Sequence, residues 1–353
     1  MASQLNVLLR SDMSSKFQPL ISVSTEKLHR GVCDFLHRDV AELIVYSALA
    51  LLRNGFVIVM CAISRTFAVN LMQSMPEESF HPQQVDIAAI LNRRRKKPLP
   101  AFVTNGVARL IHQREINDVL RRYGHLEGVD FMDALIQEFR IDLTLVGAEH
   151  LPADPRALFI SNHPLGGLDG ICLTHLIASH YQSDIRYIVN DLLLNLKPLA
   201  NIFVPVNKNG AQARSSIQRM HEALESDLPV ITFPAGLCSR LIKGQIQDPL
   251  WRPSFIKQAR QFRRPIVPLF FHGRNSMKFY RIEQLRKALG IRFNIGTALL
   301  PHEMFAAQGS SFTVVVGEPI PYETLERVKP SDLPQQVELI RQQVYQLKDQ
   351  LSK

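Results

Sequence analysis

Cysteine is scarce in this chain, with four in 353 residues at Cys33, Cys61, Cys172 and Cys238. Their separations match neither a disulfide framework nor a metal-ligand set, so the chain fits a reducing, cytosolic setting. Cys172 and Cys238 read as small core residues. A Gly-x-Ser-x-Gly elbow is missing, which removes the usual signal for a serine esterase. Neither a P-loop nor a G-x-G-x-x-G fingerprint is present, and His302-Glu303 lacks the second histidine of a zinc-binding helix. No internal repeat or low-complexity tract interrupts the sequence.

Long apolar runs are equally rare. Residues 43–63, LIVYSALALLRNGFVIVMCAI, form the only candidate for a membrane span. Its eleven Leu, Ile, Val and Phe residues favour insertion by roughly 0.3 to 0.6 kcal/mol each. Arg53 near the centre opposes it by roughly 2.5 to 3.5 kcal/mol, and Asn54 and Gly55 weaken it further. The balance is marginal. The run also lacks a short apolar core ending in small residues, so it does not read as a cleaved signal peptide. Residues 1 to 38 show no sustained period and are expected to be poorly ordered.

Positive charge, by contrast, is in excess. The net charge of +9 points to a polyanionic partner: a membrane surface, a nucleic acid or an acidic carrier protein. Arg93-Arg94-Arg95-Lys96-Lys97 is a compact basic run, worth at most roughly 5 kcal/mol beside an anionic bilayer. No aromatic interleaving or recognition-helix pattern accompanies it, which argues against nucleic acid. Amphipathic helices are expected over Phe102–His112, Ile116–Tyr123 and Val129–Phe139. From Ile141 strands alternate with helices, which predicts an α/β fold: a mixed, largely parallel sheet covered by helices and preceded by the amphipathic ones. The expected strands are Ile141–Val146, Ala157–Ile160, Ile185–Val189, Ile202–Val206, Val230–Phe233, Ile266–Phe271 and Phe312–Val316. Helices are expected near Ile171–His180, Ala211–Glu225, Ser254–Gln261, Ile282–Leu289 and Leu333–Leu351.

The stretch Ala157–Leu173, ALFISNHPLGGLDGICL, carries the chemistry. A short apolar strand leads into a turn with Asn162, His163, Gly166, Gly167 and Asp169, and a helix follows. Open α/β folds place their chemistry on such turns. An imidazole serves as a general base near neutral pH, and a carboxylate on one ring nitrogen fixes its tautomer. The glycine pair lets one loop bring His163 and Asp169 together. The plainer alternative is a histidine that caps the helix and an aspartate that bonds the turn. Further along, Asn207, Lys208, Asn209 and Gly210 form a polar turn before a helix, a plausible anion cradle.

NHPLGGLDG resembles the first motif of the lysophosphatidic-acid-type (PlsC-like) glycerolipid acyltransferases, with five rather than four residues between His163 and Asp169. This longer form is similar to a bacterial branch labelled hemolysin-like, some members of which O-acylate glycine or ornithine lipids. Phe203–Lys208 falls in the place of the second motif, Phe233–Arg240 of the third and Ile266–Leu269 of the fourth. The likeness spans roughly Arg140 to Pro321. It implies His163 as base and Asp169 as its orienting carboxylate, with backbone donors nearby for the oxyanion. Substrate binding would fall to Asn162, Gly166, Gly167, Asn207, Lys208, Gly236, Ser239 and Arg240.

The third motif departs most, since Ala235, Leu237 and Cys238 replace the family's Glu, Thr and Arg. That argues against a glycerol-phosphate acceptor and leaves Arg240 and Lys243 to hold a different anion. The resemblance thus implies an O-acyltransferase of membrane lipid biosynthesis that uses acyl-ACP or acyl-CoA as co-substrate. Its expected acceptor is a monoacylated amino-acid lipid bearing a 3-hydroxyl, and no metal or bound cofactor is implied. Membrane lipids and acyl carrier protein are the expected partners, at the cytoplasmic face of the inner membrane. A lysophosphatidic acid acyltransferase and a non-catalytic lipid-binding protein are the alternatives. The expected divisions are an extension (1–74), a basic helical region (75–140), the acyltransferase domain (141–330) and a C-terminal helix (331–353). Met75 also resembles a start point for this branch, which would make the extension an overextended gene start.

Overall fold

Strands covered on both faces by helices bury every side chain, and this one rule shapes the centre of the molecule. The computed structural model describes residues 84–92, 97–189, 196–205, 212–290 and 295–352. The 1–74 extension with its apolar run, Arg93–Lys96 of the basic run, and the turn with Asn207 and Lys208 lie outside them.

Helices α1 (Ile87–Asn92), α2 (Ala101–Leu110), α3 (Gln113–Tyr123) and α4 (Gly128–Glu138) come first. Strand β1 (Asp142–Val146), β2 (Leu158–Ser161), helix α5 (Leu168–Tyr181) and β3 (Arg186–Val189) follow. Next are β4 (Phe203–Pro205), α6 (Gln212–Glu225) and β5 (Val230–Thr232). A hairpin of β6 (Arg240–Ile242) and β7 (Gln245–Gln247) interrupts the alternation before α7 (Ser254–Gln261) and β8 (Ile266–His272). The remaining elements are α8 (Met277–Ala288), α9 (Ile295–Ala306), β9 (Ser311–Val316), α10 (Tyr322–Glu326) and α11 (Leu333–Gln346).

Among the described residues seven strands form one sheet in the order β1-β9-β8-β2-β5-β3-β4. Every neighbouring pair is parallel except β8 with β9. The sheet is therefore mixed and largely parallel, as the alternation predicts. β2 lies at its centre, with β5 and β8 parallel on either side. The period of two along a strand divides its residues between two cores. Phe159, Val267, Leu269 and Phe271 join α3, α4 and α5 on one face. Leu158, Ile160, Ile266 and Phe270 meet α7, Trp251 and α11 on the other. Truncating a fully buried ring such as Phe159 would cost about 3–5 kcal/mol. The N-terminal helices and α11 thus share cores with the sheet. Arg264, fully buried, donates to the carbonyls of Ala157, Ala223, Leu224, Ser226 and Leu228 and ties the start of β2 to the end of α6.

Several elements differ from expectation, among them the short helices α1 and α10, which no expected helix covers. The hairpin turns through Lys243 and Gly244, both at positive φ, a two-residue connection that suits the twist of its strands. Helix α8 begins at Met277 rather than Ile282, because the Ser276 hydroxyl caps it by accepting from the Phe279 N–H at 3.2 Å. Helix α9 was not anticipated and carries Pro301 inside it. Val337, Ile340 and Val344 of the last helix are buried as its periodicity requires.

Candidate functional site

Because β5, β2 and β8 are parallel, their C-terminal ends lie along one edge of the sheet, where loops of an open α/β fold gather. β2 delivers His163 to that edge. His163 Nδ1 lies 2.9 Å from Asp169 Oδ2, across the first turn of α5. The extra residue between them is accommodated by the glycines. Gly166 has a φ of 75°, a region open to glycine without cost. The loop then wraps the carboxylate: Leu165 and Gly166 donate to Oδ2, and Gly167 and Gly170 donate to Oδ1.

Asp169 is completely buried. Burial alone would raise its pKa. The charge and hydrogen bond of His163, with the bonds from Leu165 and Gly166, outweigh that and hold the carboxyl below the usual range. The carboxylate therefore stays ionised against His163 and favours a proton on Nδ1, leaving the Nε2 lone pair as the base. The ring stacks on Phe233, with 3.7 Å between centroids and 20° between planes. Its side chain keeps 15% exposure, so it is reachable from outside while its partner is not.

A second buried carboxylate, Asp248, holds the same loop from the other side. Its Oδ1 accepts from the His163 backbone N–H at 3.1 Å and the Ser239 hydroxyl at 2.6 Å. Oδ2 accepts from Trp251 Nε1 at 2.9 Å. The Asp248 N–H donates to the Tyr345 hydroxyl of α11 at 2.8 Å, and the Ser239 N–H donates to the His163 carbonyl at 2.7 Å. Burial raises its pKa despite these bonds. No local pattern singles out a lone aspartate after a short hairpin, and the sequence reading passed over it.

A family model described as acyltransferase matches residues 88–353. The chain belongs to that acyltransferase family. The acyltransferase is 40% identical over 248 residues to the lyso-glycine lipid O-acyltransferase of Phocaeicola vulgatus, covering 69% of this chain and 89% of that one. It is 40% identical over 266 residues to the protein of the same name from Bacteroides thetaiotaomicron, covering 74% and 97%. A crystal structure of the 1-acyl-sn-glycerophosphate acyltransferase PlsC from Thermotoga maritima matches at a TM-score of 0.38 with 13% identity, covering 70% of this chain and 93% of that one.

In this acyltransferase several residues expected to touch substrate do other work. Asn162 donates its amide to the Phe271 carbonyl at 3.0 Å and accepts from the Phe271 N–H at 2.7 Å. It splints β2 to β8. Ser239 is bonded to Asp248. Arg240 is buried, with Nη1 on the Cys238 carbonyl and sulfur at 2.7 Å and Nε 3.3 Å from Glu283. This arginine is thus engaged by a nearly dry carboxylate, a buried ion pair within the fold. A Cβ on Gly166 would come within 2.7 Å of Leu300 and 3.0 Å of Cys238, so that glycine serves close packing. Gly167 and Gly236 have open space where a side chain would start. The N–H groups of Leu165, Gly166, Gly167 and Gly170 in this loop are bonded to Asp169. Asn207 and Lys208 lie outside the described residues.

Cys172 and Cys238 are free and buried, and burial pushes the Cys238 thiol up to about 11, which leaves it a poor nucleophile. Among the described residues no group of His, Cys, Asp and Glu is arranged to hold a metal ion. A cleft of about 540 Å³ near Arg114, Asp118, Arg122 and Glu138 includes none of the His163 loop. Arg122 and Glu138 pair across it in two bonds of 2.6 Å.

Proposed function

We propose that this acyltransferase moves a fatty acyl group from an acyl thioester, acyl-ACP or acyl-CoA, to the hydroxyl of a lyso-lipid, and that the lyso-lipid is a monoacylated amino-acid lipid of the glycine-lipid kind. The observation that carries the chemistry is the His163–Asp169 pair, buried on the carboxylate side and open on the other. Nε2 takes the hydroxyl proton as the acceptor oxygen attacks the thioester carbonyl carbon. The resulting C–O bond replaces the C–S bond, and the imidazolium returns the proton to the leaving thiolate. Asp169 stabilises the imidazolium between those steps. Two relatives that this chain matches over most of their length, both named lyso-glycine lipid O-acyltransferases, support the acceptor. The engagement of Arg240 by Glu283 speaks against a phosphate held at that place.

Among the described residues no helix is long and apolar enough to cross a membrane. With a net charge of +9, peripheral binding at the anionic cytoplasmic face of the inner membrane fits a lipid acceptor. Lipid mass spectrometry on cells lacking the gene, complemented with the wild type or His163→Ala, tests the reading. The diacylated amino-acid lipid is expected to disappear and its monoacyl precursor to accumulate, with rescue by the wild type alone. A shift in phosphatidic-acid-derived lipids instead would keep the chemistry and overturn the acceptor. Full rescue by His163→Ala would overturn the enzyme and favour a non-catalytic lipid binder.

A further inference from the structure

Helix α8 has an inner face that fixes its rotation and an outer face that is exposed among the described residues. Inside, Phe279, Tyr280 and Glu283 are buried. Glu283 receives Arg240 Nε at 3.3 Å, Arg286 Nε at 3.1 Å and the Gly296 N–H at 2.6 Å. At the start of the helix Ser276 is bonded to Glu303 through both its N–H and its hydroxyl. With its start and its middle tied, the helix cannot roll its outer residues inward.

Those outer residues include Met277, Leu285 and Leu289, at 39%, 44% and 57% exposure. Together with Arg281 they follow an i, i+4 row, so they share one stripe. Single exposed leucines are ordinary, but three large apolar side chains on one stripe are not. Lys278, Arg281 and Lys287 are exposed along the same helix, and Arg274 is exposed just before it. The only acidic residue from Arg274 to Gly290 is Glu283, which is inside. The outer face thus carries an apolar row with Gln284 beside it, and its charge is all basic, a combination that favours an anionic bilayer surface. The helix also leaves the sheet from the C-terminal end of β8, beside the end of β2 that carries His163.

We propose that the outer face of α8 docks the protein on an anionic lipid surface, with Met277, Leu285 and Leu289 entering the headgroup boundary and Lys278 and Arg281 meeting lipid charge. A lipid acceptor would then reach His163 from the bilayer without crossing water. That last step rests on the lyso-lipid reading above, whereas the docking itself does not.

Tryptophan placed on this face reads the docking directly. The chain has a single tryptophan, Trp251, which is buried and supplies a constant background. The full-length Leu285→Trp and Leu289→Trp proteins are mixed with phosphatidylglycerol–phosphatidylcholine vesicles whose acyl chains carry bromine. A Leu339→Trp protein, altered at an exposed position of α11, is the control. Fluorescence at 285 and 289 is expected to fall about two-fold, the effect of burial to the acyl boundary, and to be unchanged at 339. Replacing phosphatidylglycerol with phosphatidylcholine should abolish the fall. No quenching at 285 and 289 overturns the proposal, even where the protein sediments with vesicles through another segment. So does equal quenching at 339. A fluorescence change with acidic acyl carrier protein but not with vesicles would give the face to a protein partner and overturn the lipid assignment. The readout needs no turnover, so failure of the acceptor assignment and failure of the docking face are separate results.

Discussion

The imidazole of His163 lies flat on the ring of Phe233, 3.7 Å between centroids, while its Nδ1 meets Asp169 at 2.9 Å. One contact sets the plane of the base and the other sets its tautomer, so the side chain arrives preorganised. His163→Ala removes the base and leaves the buried carboxylate with its four N–H donors. Acyl transfer is expected to fall by about 10²- to 10⁴-fold, and the thermal midpoint to fall as well, because the buried carboxylate loses the partner that offsets its burial. Product formation measured by mass spectrometry, beside a melting curve of the same preparation, checks both halves.

Asp169 ties folding to pH. Its folded pKa lies below the ordinary value of 3.8, so the stability it confers is present above that value and is lost as pH falls through the lower folded one. In Asp169→Asn an amide N–H₂ would face two backbone donors, and that stability is missing throughout. The wild-type advantage in melting temperature should hold from neutrality to about pH 5 and shrink below about pH 4. An advantage that widens in acid would contradict the assignment.

Asp248 is expected to matter through the backbone of His163, whose N–H it accepts. Asp248→Asn keeps one acceptor but sets an N–H₂ against a donor, at a cost of about 1–3 kcal/mol. The wild-type carboxyl has a raised pKa, so its contribution is greatest in acid and declines as pH rises through the folded value. Denaturant melts across pH should show that decline in the wild type and its absence in Asp248→Asn. Acyl transfer by the variant should fall chiefly in kcat, because the His163 backbone loses its anchor.

The two loop glycines should respond differently to a methyl group. Gly166→Ala forces a positive φ on a side chain that also meets Leu300 and Cys238, costing about 1–3 kcal/mol. Gly167 is extended, with open space at its Cβ position, so Gly167→Ala should stay within about 0.5 kcal/mol of wild type. Equal melting temperatures for the two variants would contradict the loop geometry.

What was legible in the sequence was what is local. Leu158–Ile160 reads as a buried strand because both neighbours in the sheet are also covered, and the glycines announce a tight loop before α5. The pairing of His163 with Asp169 followed from six positions of sequence separation. Arg240 shows the limit: its place at the end of the third motif points to an anion, and nothing local reveals its Glu283 partner, 43 positions on in a helix that starts earlier than its periodicity suggests. Asp248 reaches His163 across 85 positions and has no pattern around it. Helix α9 carries Pro301 in its interior, a residue that disfavours helix locally, so neighbouring structure overrides local preference there.

β9 has one further consequence. Among the described residues it is the only partner of β1 and the strand that joins β1 to β8, pairing Asp142 with Ser311 and His272 with Thr313. No short-range event during folding can supply the β1 contact, because nearly half the chain must be gathered first. Loop closure of that length delays the rewarding contacts, so the edge of the sheet should consolidate last. Until then β1 presents unpaired backbone, and a refolding chain is most open to intermolecular strand pairing there.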